Sequence, residues 1–565
     1  MAADTEKLFS HDRYLCFQEI TEVLEEAARR YPDRCRLTSL GRTPEGREIW
    51  CAVLSAGSDE DKPALYVDGN HHAGEVTGSM ACLRIIERLL GGADEERQLL
   101  HKVTVYVVPR VSPDGAERYL TTPHLLRSVP RPYPEVGEPE GFQEEDVDGD
   151  GRILWMRIPD PAGEWRVSEK DPRVMVRRRP GESGGQYYRL LREGRFHRFD
   201  GLAQPRGKPR WGLDLNRNYP ARWATESKQR GAGPMPLSEP EVRAVSDFLA
   251  SHPNVAAAVS FHTSGGFLLS PPCTYSFDKL DRRDAELYRI IGREGKRLTG
   301  YDHQPVFDGF TADRDRPHRG SFLDFAYELL GVICFAPELW DLRTRAGLPR
   351  RLPREWQTVG EEEREREEVE LLKWCDRELG GRGFVPWYPI THPQLGAVEL
   401  GGWDVKALTY NPPPNLLPEE LDRAADFALL LARCLPQLDL GLLEPEPLGP
   451  AEQGGYLYRV RAWVENHGLL PTGGSYRAEQ VGHLEPLRMG LCVPEGVRVV
   501  AGEPVLELEH LPGRHLPPGA FGGGTSPLDH RRVGEWVVAA ARGAEVRIWA
   551  RAPRAGSVER RVVLR

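Results

Sequence analysis

The sequence lacks the features that would place the protein in a membrane. Its 565 residues contain no stretch approaching eighteen consecutive apolar residues, the length that marks a membrane-spanning helix. The first residues, 1–7, show no basic start followed by an apolar core, so no secretory signal is visible. We therefore expect no membrane partner, and we predict a cytoplasmic location if Met1 is the native start. Removal of a signal ahead of this start would leave the same sequence.

Paired cysteines and an excess of positive charge are also missing. The nine cysteines are scattered and include no Cys-x-x-Cys pair, a pattern typical of reduced thiols in a cytoplasmic protein. The formal net charge of -10 argues against a nucleic-acid partner, because such proteins usually present a basic face. With 40% hydrophobic and 28% charged residues, the composition is that of a globular protein.

The length indicates more than one domain, because one hydrophobic core seldom serves a chain this long. A helical stripe over 17–30 is followed by short apolar runs typical of buried strands. A second helical stripe, over 80–90, lies between the runs at 64–67 and 103–108. The strand-like runs lie at 49–54, 64–67, 103–108, 255–261 and 331–335. Further helices are expected at 361–378 and 418–435. This alternation predicts an α/β domain over 1–438.

Two regions depart from that pattern. Residues 121–211 are rich in proline, glycine and arginine, and we interpret them as a long, loop-like surface insertion in the first domain. In the last region, 439–565, polar and apolar residues alternate along 456–465 and 545–551. Helical stripes are absent there, so we predict a small β-sandwich of about 120 residues.

Polar residues with metal-binding chemistry follow several predicted strands. His72 and Glu75 are three apart after one strand, and His262 ends another. Imidazole and carboxylate groups both bind zinc, and a catalytic zinc needs three protein ligands. His-x-x-Glu alone is a weak signal. Because Glu338 also ends a strand, however, these groups are expected at one edge of the sheet, where the carboxyl ends of strands form ligand sites.

Taken together, the motifs resemble those of the zinc carboxypeptidase family. The matching residues occur in the family's order over roughly 10–435: His72-x-x-Glu75, Ser112-Pro-Asp-Gly115, Asp214-Leu-Asn-Arg-Asn218, His262 and Glu338. The resemblance implies an α/β fold with a mixed, mostly eight-stranded twisted sheet flanked by helices, and one catalytic Zn²⁺.

The resemblance also implies a metal site. His72, Glu75 and His262 would be the zinc ligands, and Asp214 would orient His72 by accepting its other ring proton. His71 is a rival ligand, but the spacing to Glu75 selects His72. We interpret His71 as a structural or supporting residue.

The substrate implied by the resemblance is a peptide with a free C-terminal carboxylate. Asn216 and Arg217 would bind that carboxylate, for which a planar guanidinium is well suited. Glu338 would be the general base, with Glu399 as the alternative. His392 is expected to be a packed surface residue.

An arginine is expected to stabilise the oxyanion. We predict Arg157, which lies ahead of the Asn-Arg motif, with Arg206 or Arg210 as alternatives because the insertion makes the alignment ambiguous.

The loop before Asp324 departs from the family, whose digestive members place a tyrosine there. This chain has none between Arg314 and Gly320, so His318 or Arg319 is expected to contribute instead. Leu323 matches the family's side-chain selector, which predicts an apolar or neutral preference.

The sequence also contains a candidate Ca²⁺ site. Asp146, Asp148 and Asp150 resemble the first half of a calcium-binding loop, but its twelfth position is Arg157 rather than a bidentate glutamate. A carboxylate-rich turn that binds no Ca²⁺ is the alternative interpretation.

Three functions therefore stay open. The chain is predicted to be a zinc carboxypeptidase; the alternatives are a zinc amidase or endopeptidase acting on cell-wall or modified peptides, and a silent binding protein of the same fold. The motifs predict nothing about oligomeric state.

Overall fold

The computed structural model describes residues 7–134, 140–198, 207, 210–452, 454–482, 484–514 and 530–565. Within these ranges, no helix combines the length and apolar character needed to cross a membrane. All nine cysteines are free. The cytoplasmic location stays a prediction.

The elements of the first domain follow in chain order. The segment before the insertion contains β1 (Cys35–Arg42), β2 (Glu48–Leu54), β3 (Ala64–Gly69), β4 (Thr104–Val108), α1 (Phe17–Arg30), α2 (Val76–Gly91), α3 (Asp94–Leu99) and α4 (Pro113–Thr121). The insertion contains β5 (Gly141–Glu144), β6 (Trp155–Pro159), β7 (Trp165–Val167), β8 (Met175–Arg177), β9 (Tyr188–Arg192) and β10 (Gly194–His197). The segment after it contains β11 (Val255–Thr263), β12 (Phe267–Ser270), β13 (Asp302–Pro305), β14 (Ile333–Leu339), β15 (Phe384–His392), β16 (Gly396–Trp403), α5 (Pro240–Ser251), α6 (Arg282–Thr299), α7 (Phe322–Asp324), α8 (Leu342–Arg345), α9 (Glu361–Leu379) and α10 (Leu417–Cys434).

The tail, from residue 438 onward, is mostly β-structure. It contains β17 (Leu438–Leu442), β18 (Glu446–Pro450), β19 (Tyr456–Asn466), β20 (Leu487–Cys492), β21 (Arg498–Ala501), β22 (Val505–Leu508), β23 (Arg531–Ala540), β24 (Glu545–Ala552), β25 (Gly556–Val563) and α11 (Tyr476–Val481). Short 3-10 or π turns occur in the first domain at Leu215–Arg217, Phe277–Lys279, Val306–Phe310, Phe325–Leu329, Glu355–Gln357 and Val405–Thr409.

The first domain is built on a mixed eight-stranded sheet. Its strand order is β1-β2-β4-β3-β11-β14-β12-β13, and β11 runs parallel to both β3 and β14. Every residue of these three central strands is buried, which agrees with their near-continuous apolar sequences. Their carboxyl ends meet at one edge of the sheet. The predicted fold class, the helices at 17–30 and 361–378 and the central strands are confirmed.

The insertion is not the loop region that its composition predicted. Four of its strands join β15 and β16 in a second, six-stranded sheet of order β15-β16-β6-β9-β7-β8, and β5 pairs with β10. The prediction was wrong because these strands are only three to five residues long. Their arginines also lie over aromatic rings, as Arg177 does over Trp165, so little apolar sequence marks the strands.

The tail forms two antiparallel sheets that share one hydrophobic core. The first contains β17, β18, β19, β21 and β23, and the second contains β20, β22, β24 and β25. Trp536 from the first sheet and Ile548 from the second are both fully buried in the common cluster. This agrees with the predicted β-sandwich; α11 was not predicted.

The tail contacts the first domain just ahead of β14. Arg554 donates to the carbonyl oxygens of Leu330 and Gly331, at 2.5 and 2.8 Å, and Ser475 donates to Gly331 at 2.6 Å. Gly331 has a φ of 63°, and a Cβ there would lie 2.4 Å from the Cα of Ala478 in α11. This position therefore needs glycine both for its backbone conformation and for the close approach of the tail.

Candidate active site

Three buried side chains converge at the edge formed by β3, β11 and β14. Nδ1 of His72 lies 2.7 Å from one carboxylate oxygen of Glu75, and Nδ1 of His262 lies 2.9 Å from the other. The two Nδ1 atoms are 3.2 Å apart. His72 and Glu75 follow β3, whereas His262 lies on β11, so the parallel pairing of the two strands brings together residues 190 positions apart.

The far nitrogens of both imidazoles contact other groups. Nε2 of His72 lies 3.1 Å from Oδ1 of Asp214, which can accept its proton and so leave Nδ1 free as a ligand. Nε2 of His262 lies 3.3 Å from the side-chain nitrogen of Asn216. The two Nδ1 atoms and the carboxylate therefore face one point.

The turn that carries His72 is fixed by the residue at the end of β3. Asn70 adopts a left-handed conformation with φ of 64°, which asparagine tolerates better than most side chains. Its amide donates to the carbonyl oxygens of His72 and Ala73 at 2.6 and 3.3 Å. The backbone nitrogen of Thr263 donates to Glu75 at 3.1 Å, which ties the turn to β11.

The electrostatics of the cluster favour an ionised Glu75. Although burial opposes it, the nearby imidazoles of His72 and His262 hold the pKa of Glu75 well below its usual range. Burial lowers the pKa of His72, but Glu75 and Asp214 outweigh it, so that pKa is raised. The negative groups thus favour a cation between the two imidazoles.

The donor set fits a zinc ion. Ligand atoms of His72, Glu75 and His262 all lie within 4.8 Å of one another, and all three residues are buried. Two imidazoles and a carboxylate match the protein ligands of a catalytic zinc, which keeps a further position for water or substrate. The zinc site predicted from the sequence is thus assembled in the fold.

Glu338 lies beside this cluster. It pairs with His262 in the parallel register of β14 and β11, and the two side chains leave adjacent strands at the same level. Its residue is 9% exposed. Burial raises the pKa of Glu338 to about 8, and the negative charge of Glu75 adds to the rise. A carboxyl group with such a pKa is suited to exchanging protons near neutral pH.

The arginine beside the cluster is Arg127, not the expected Arg157. Arg127 donates to Oδ2 of Asp214 at 2.7 Å, and its guanidinium approaches Glu75 to 3.9 Å. Its side chain is 39% exposed, so it can also reach a ligand. Arg157 lies in the second sheet, where it donates to Glu399 at 2.7 Å and stacks on Trp387.

Sequence reasoning missed Arg127 because it placed the oxyanion arginine deeper in the insertion, at Arg157, whereas Arg127 lies near the start of the insertion. The 87 positions that separate Arg127 from Asp214 hide their proximity. The available signal was position, because Arg127 is also an arginine ahead of the Asn-Arg motif. Of the two alternatives, Arg210 lines the cavity beside the site, and Arg206 lies outside the described residues.

The predicted carboxylate-binding residues lie on the His262 side. Arg217 donates to the carbonyl oxygen of Asn216 at 2.6 Å and to Nδ1 of His318 at 2.8 Å. Burial and the positive charge of Arg217 lower the pKa of His318 to about 3, so its imidazole is neutral and accepts this bond. The loop that lacks the family's tyrosine thus places His318 against Arg217.

Leu323 and its neighbour Asp324 are placed below the surface. Leu323 is 4% exposed and packs in the main hydrophobic core. Asp324 is fully buried; one oxygen accepts from the backbone of Cys273 at 2.9 Å, whereas Oδ2 has no hydrogen-bond partner among the described residues. Burial raises the pKa of Asp324 to about 7. Leu323 as a selector of substrate side chains stays a prediction.

The remaining candidates have structural surroundings. Nε2 of His71 lies 2.7 Å from the hydroxyl of Tyr219, behind the cluster. Glu399, the alternative base, is the partner of Arg157 in the second sheet. His392 was expected at the surface but is 1% exposed, and its Nε2 lies 2.9 Å from the carbonyl oxygen of Gly194.

The acidic loop of the insertion gives the calcium hypothesis no support. Asp146 and Asp148 lie near the buried Glu193, but Asp150 instead pairs with Arg152 at 2.5 Å. The two carboxylate oxygens of Asp146 accept from the backbone nitrogens of Gly149 and Gly151 in the same loop, at 2.7 and 2.9 Å. These bonds are those of a carboxylate-rich turn.

A cavity of about 820 Å³ opens beside His72, Glu75 and Asp214. The insertion, the segment around Trp211 and Tyr410 form its walls. Sequence reasoning did not identify this cavity, because part of its lining lies on the unpredicted strands β5, β9 and β10.

Comparison with known proteins agrees with this geometry. The profile of the zinc carboxypeptidase family (Peptidase_M14) matches residues 20–365, more than half of the chain, and a family described only as a domain of unknown function matches 442–563. Bovine carboxypeptidase O is 22% identical over 344 residues, which are 59% of this chain and 72% of the relative.

Two further proteins are similar to parts of the chain. A zinc carboxypeptidase of Saccharothrix mutabilis subsp. capreolus is 32% identical over 114 residues, which are 19% of this chain and only 26% of the relative. The structure of carboxypeptidase A from Helicoverpa armigera has 19% identity and a TM-score of 0.39, covering 66% of this chain and 75% of the other. On the family profile, the chain belongs to the zinc carboxypeptidases.

Proposed function

We propose that the protein is a zinc-dependent carboxypeptidase that removes C-terminal residues from peptides. The observation that carries this proposal is the convergence of His72, Glu75 and His262 with Glu338 on the adjacent strand. When bound there, zinc would polarise the scissile carbonyl and lower the pKa of water.

The chain's own residues supply the remaining chemistry. Glu338 would accept a proton from the attacking water and deliver it to the leaving amine, for which its raised pKa is suited. Arg127, half-exposed and held by Asp214, would donate to the carbonyl oxygen as negative charge develops on it. Asp214 would keep His72 in the tautomer that leaves Nδ1 available.

Arg217 would bind the terminal carboxylate of the substrate. It lies beside Asn216, whose side chain reaches His262, so a carboxylate bound there would sit next to the metal cluster. His318 holds the guanidinium by accepting one of its protons. A carboxylate could displace this neutral acceptor, because an ion pair with Arg217, which can be bidentate, is stronger than the bond of Arg217 to an uncharged imidazole.

The test uses purified protein reconstituted with zinc. We expect about one zinc per chain, and we expect hydrolysis of a blocked dipeptide with a free carboxylate to exceed that of its C-terminal amide by about a hundredfold. Arg217→Gln should remove most of this difference. Equal rates on acid and amide in the unaltered protein would contradict carboxypeptidase action and favour the amidase alternative.

A further inference from the structure

The cavity beside the metal cluster is on the side away from Arg217. Its lining includes His72, Glu75 and Asp214, whereas Asn216, Arg217 and His318 lie outside that lining, next to His262. If Arg217 binds the terminal carboxylate, as proposed above, the acyl part of the substrate must extend into this cavity. The inference below rests on that proposed function.

The walls of the cavity come largely from the insertion. Phe142 and Phe196, on the paired strands β5 and β10, contact each other edge to face at 5.1 Å and line the cavity together with Leu191 of β9. Trp211, at the end of the insertion, and Tyr410, outside it, also line the cavity. Because Phe142, Phe196 and Leu191 lie on paired strands, this part of the wall is formed before a substrate arrives.

The charged groups of the lining are mostly arginines. Arg127, Arg192, Arg210 and Arg230 all line the cavity. Arg127 is paired with Asp214, and Arg192 lies 3.6 Å from Glu144. Arg210 and Arg230 are exposed, and neither has a carboxylate partner among the described residues. In a chain with a net charge of -10, two arginines at one cavity that have no described carboxylate partner leave positive charge available to a ligand.

The backbone fixes both arginines close to the metal cluster. The backbone nitrogen of Asp214 donates at 3.0 Å to the carbonyl oxygen of Gly231, the residue after Arg230. The guanidinium of Arg210 lies 5.5 Å from the ring of Trp211. The carbonyl oxygen of Trp211 accepts from the backbone nitrogen of Arg127 at 3.2 Å. Each exposed arginine therefore immediately precedes a residue, Trp211 or Gly231, whose carbonyl oxygen accepts a hydrogen bond from a residue of the site.

We propose that this cavity recognises a carboxylate on the acyl side of the scissile bond, and that Arg210 and Arg230 bind it. The preferred substrates are then peptides with an acidic residue one or two positions before the C-terminal residue. Phe142, Phe196 and Trp211 would contact the apolar part of the same segment. Guanidinium groups suit this role because they bind carboxylates through two parallel hydrogen bonds.

The experiment compares substrates that differ only in charge. Acetyl-Glu-Phe is paired with acetyl-Gln-Phe, and acetyl-Glu-Ala-Phe with acetyl-Gln-Ala-Phe, so that volume and leaving residue are constant. We expect kcat/KM to favour the glutamate member by about tenfold in at least one pair, and the preference to shrink in high salt.

The variant Arg210→Gln/Arg230→Gln should reduce that preference to within about twofold, because its amides carry no positive charge and no planar guanidinium to pair with the carboxylate. Arg293→Gln, an exposed position on α6, is the matched control and should keep the full preference. Equal rates on both members of both pairs, or a preference that survives in the double variant, would overturn the proposal.

A binding measurement separates this inference from the proposed function. Zinc-loaded Glu338→Gln protein is titrated with the same four peptides by calorimetry, which requires no turnover. Tighter binding of the glutamate peptides supports the cavity assignment even if the unaltered protein hydrolyses none of the four peptides. That lack of hydrolysis would contradict only the carboxypeptidase proposal. Equal binding of glutamate and glutamine peptides would contradict the assignment whatever the activity.

Discussion

The eight-stranded and six-stranded sheets of the first domain are stabilised by different kinds of side-chain contact. The central strands of the eight-stranded sheet are apolar and fully buried, and they hold the ligands at their carboxyl ends. The six-stranded sheet instead relies on arginines over aromatic rings, such as Arg157 over Trp387, and on small apolar clusters. The first sheet therefore carries the candidate metal site, whereas the second contributes Leu191 and Arg192 to the wall of the cavity beside it.

The largest expected effect lies in the first sheet. Glu338→Gln should lower kcat by about a thousandfold or more, because the amide cannot accept the proton of water. Zinc content should be unchanged, since Glu338 is not one of the three proposed ligands, His72, Glu75 and His262. Metal analysis and steady-state kinetics on one preparation check both. Near-full activity would mean that another group is the base.

The next largest effect comes from a matched pair of arginine variants, which tests whether Arg127 or Arg157 acts on the reacting carbonyl. Arg127→Gln should reduce kcat/KM by about a hundredfold, because a donor beside the reacting carbonyl is lost. Arg157→Gln should change kcat/KM by less than about tenfold, since its partner is Glu399 in the second sheet. If the Arg157 variant proved the more damaging, the assignment of Arg127 would be wrong.

The second sheet can be weakened without touching the ligands. Leu400 of β16 is fully buried in a small cluster with Met156 and Val398. Leu400→Ala should lower the free energy of unfolding by about 2–4 kcal/mol, measured in urea, while zinc stoichiometry is kept. Val533→Ala, at a side chain that is 66% exposed, is the control and should change it by less than about 0.5 kcal/mol.

The smallest effect concerns a buried carboxyl group beneath the site. The pKa of Asp324 is raised to about 7, so the folded protein binds this proton up to a higher pH than the unfolded chain does. Its contribution to stability is therefore present below the ordinary pKa of 3.8 and is lost as pH rises toward 7. Asp324→Asn should stabilise the protein by about 1–3 kcal/mol more at pH 8 than at pH 5, measured by urea unfolding. A pH-independent effect would contradict this.

The difference between the two sheets also explains which parts of the fold can be predicted from the sequence. The strands that carry His262 and Glu338 were found because burial on both faces produces continuous apolar runs. The resemblance to a family supplied the roles of the residues that follow them. The second sheet was missed because it joins segments more than 200 positions apart, as Arg157 and Glu399 are, and because its strands from the insertion are too short to show a period.

Arg127 and the cavity were missed for a related reason. A side chain such as Arg127 acquires its role only through neighbours that the fold brings from far along the chain, here Asp214. Composition counted the arginines of the insertion as solvated surface. The structure shows several of them stacked on rings and another, Arg210, in the lining of a cavity together with Arg230, which follows the insertion.

The contact of the tail with Gly331 makes the two halves of the chain mutually dependent. Gly331 immediately precedes the segment that leads to Glu338, and Arg554, near the end of the chain, covers its carbonyl oxygen. Asp284 of α6 likewise accepts two backbone bonds from the tail, at 3.0 and 2.9 Å. Cutting the chain after α10 would uncover the carbonyl oxygen of Gly331, just ahead of the strand that carries Glu338, and the carboxylate of Asp284 on α6. The shortest active fragment should therefore be almost the whole polypeptide, even though the family profile ends at residue 365.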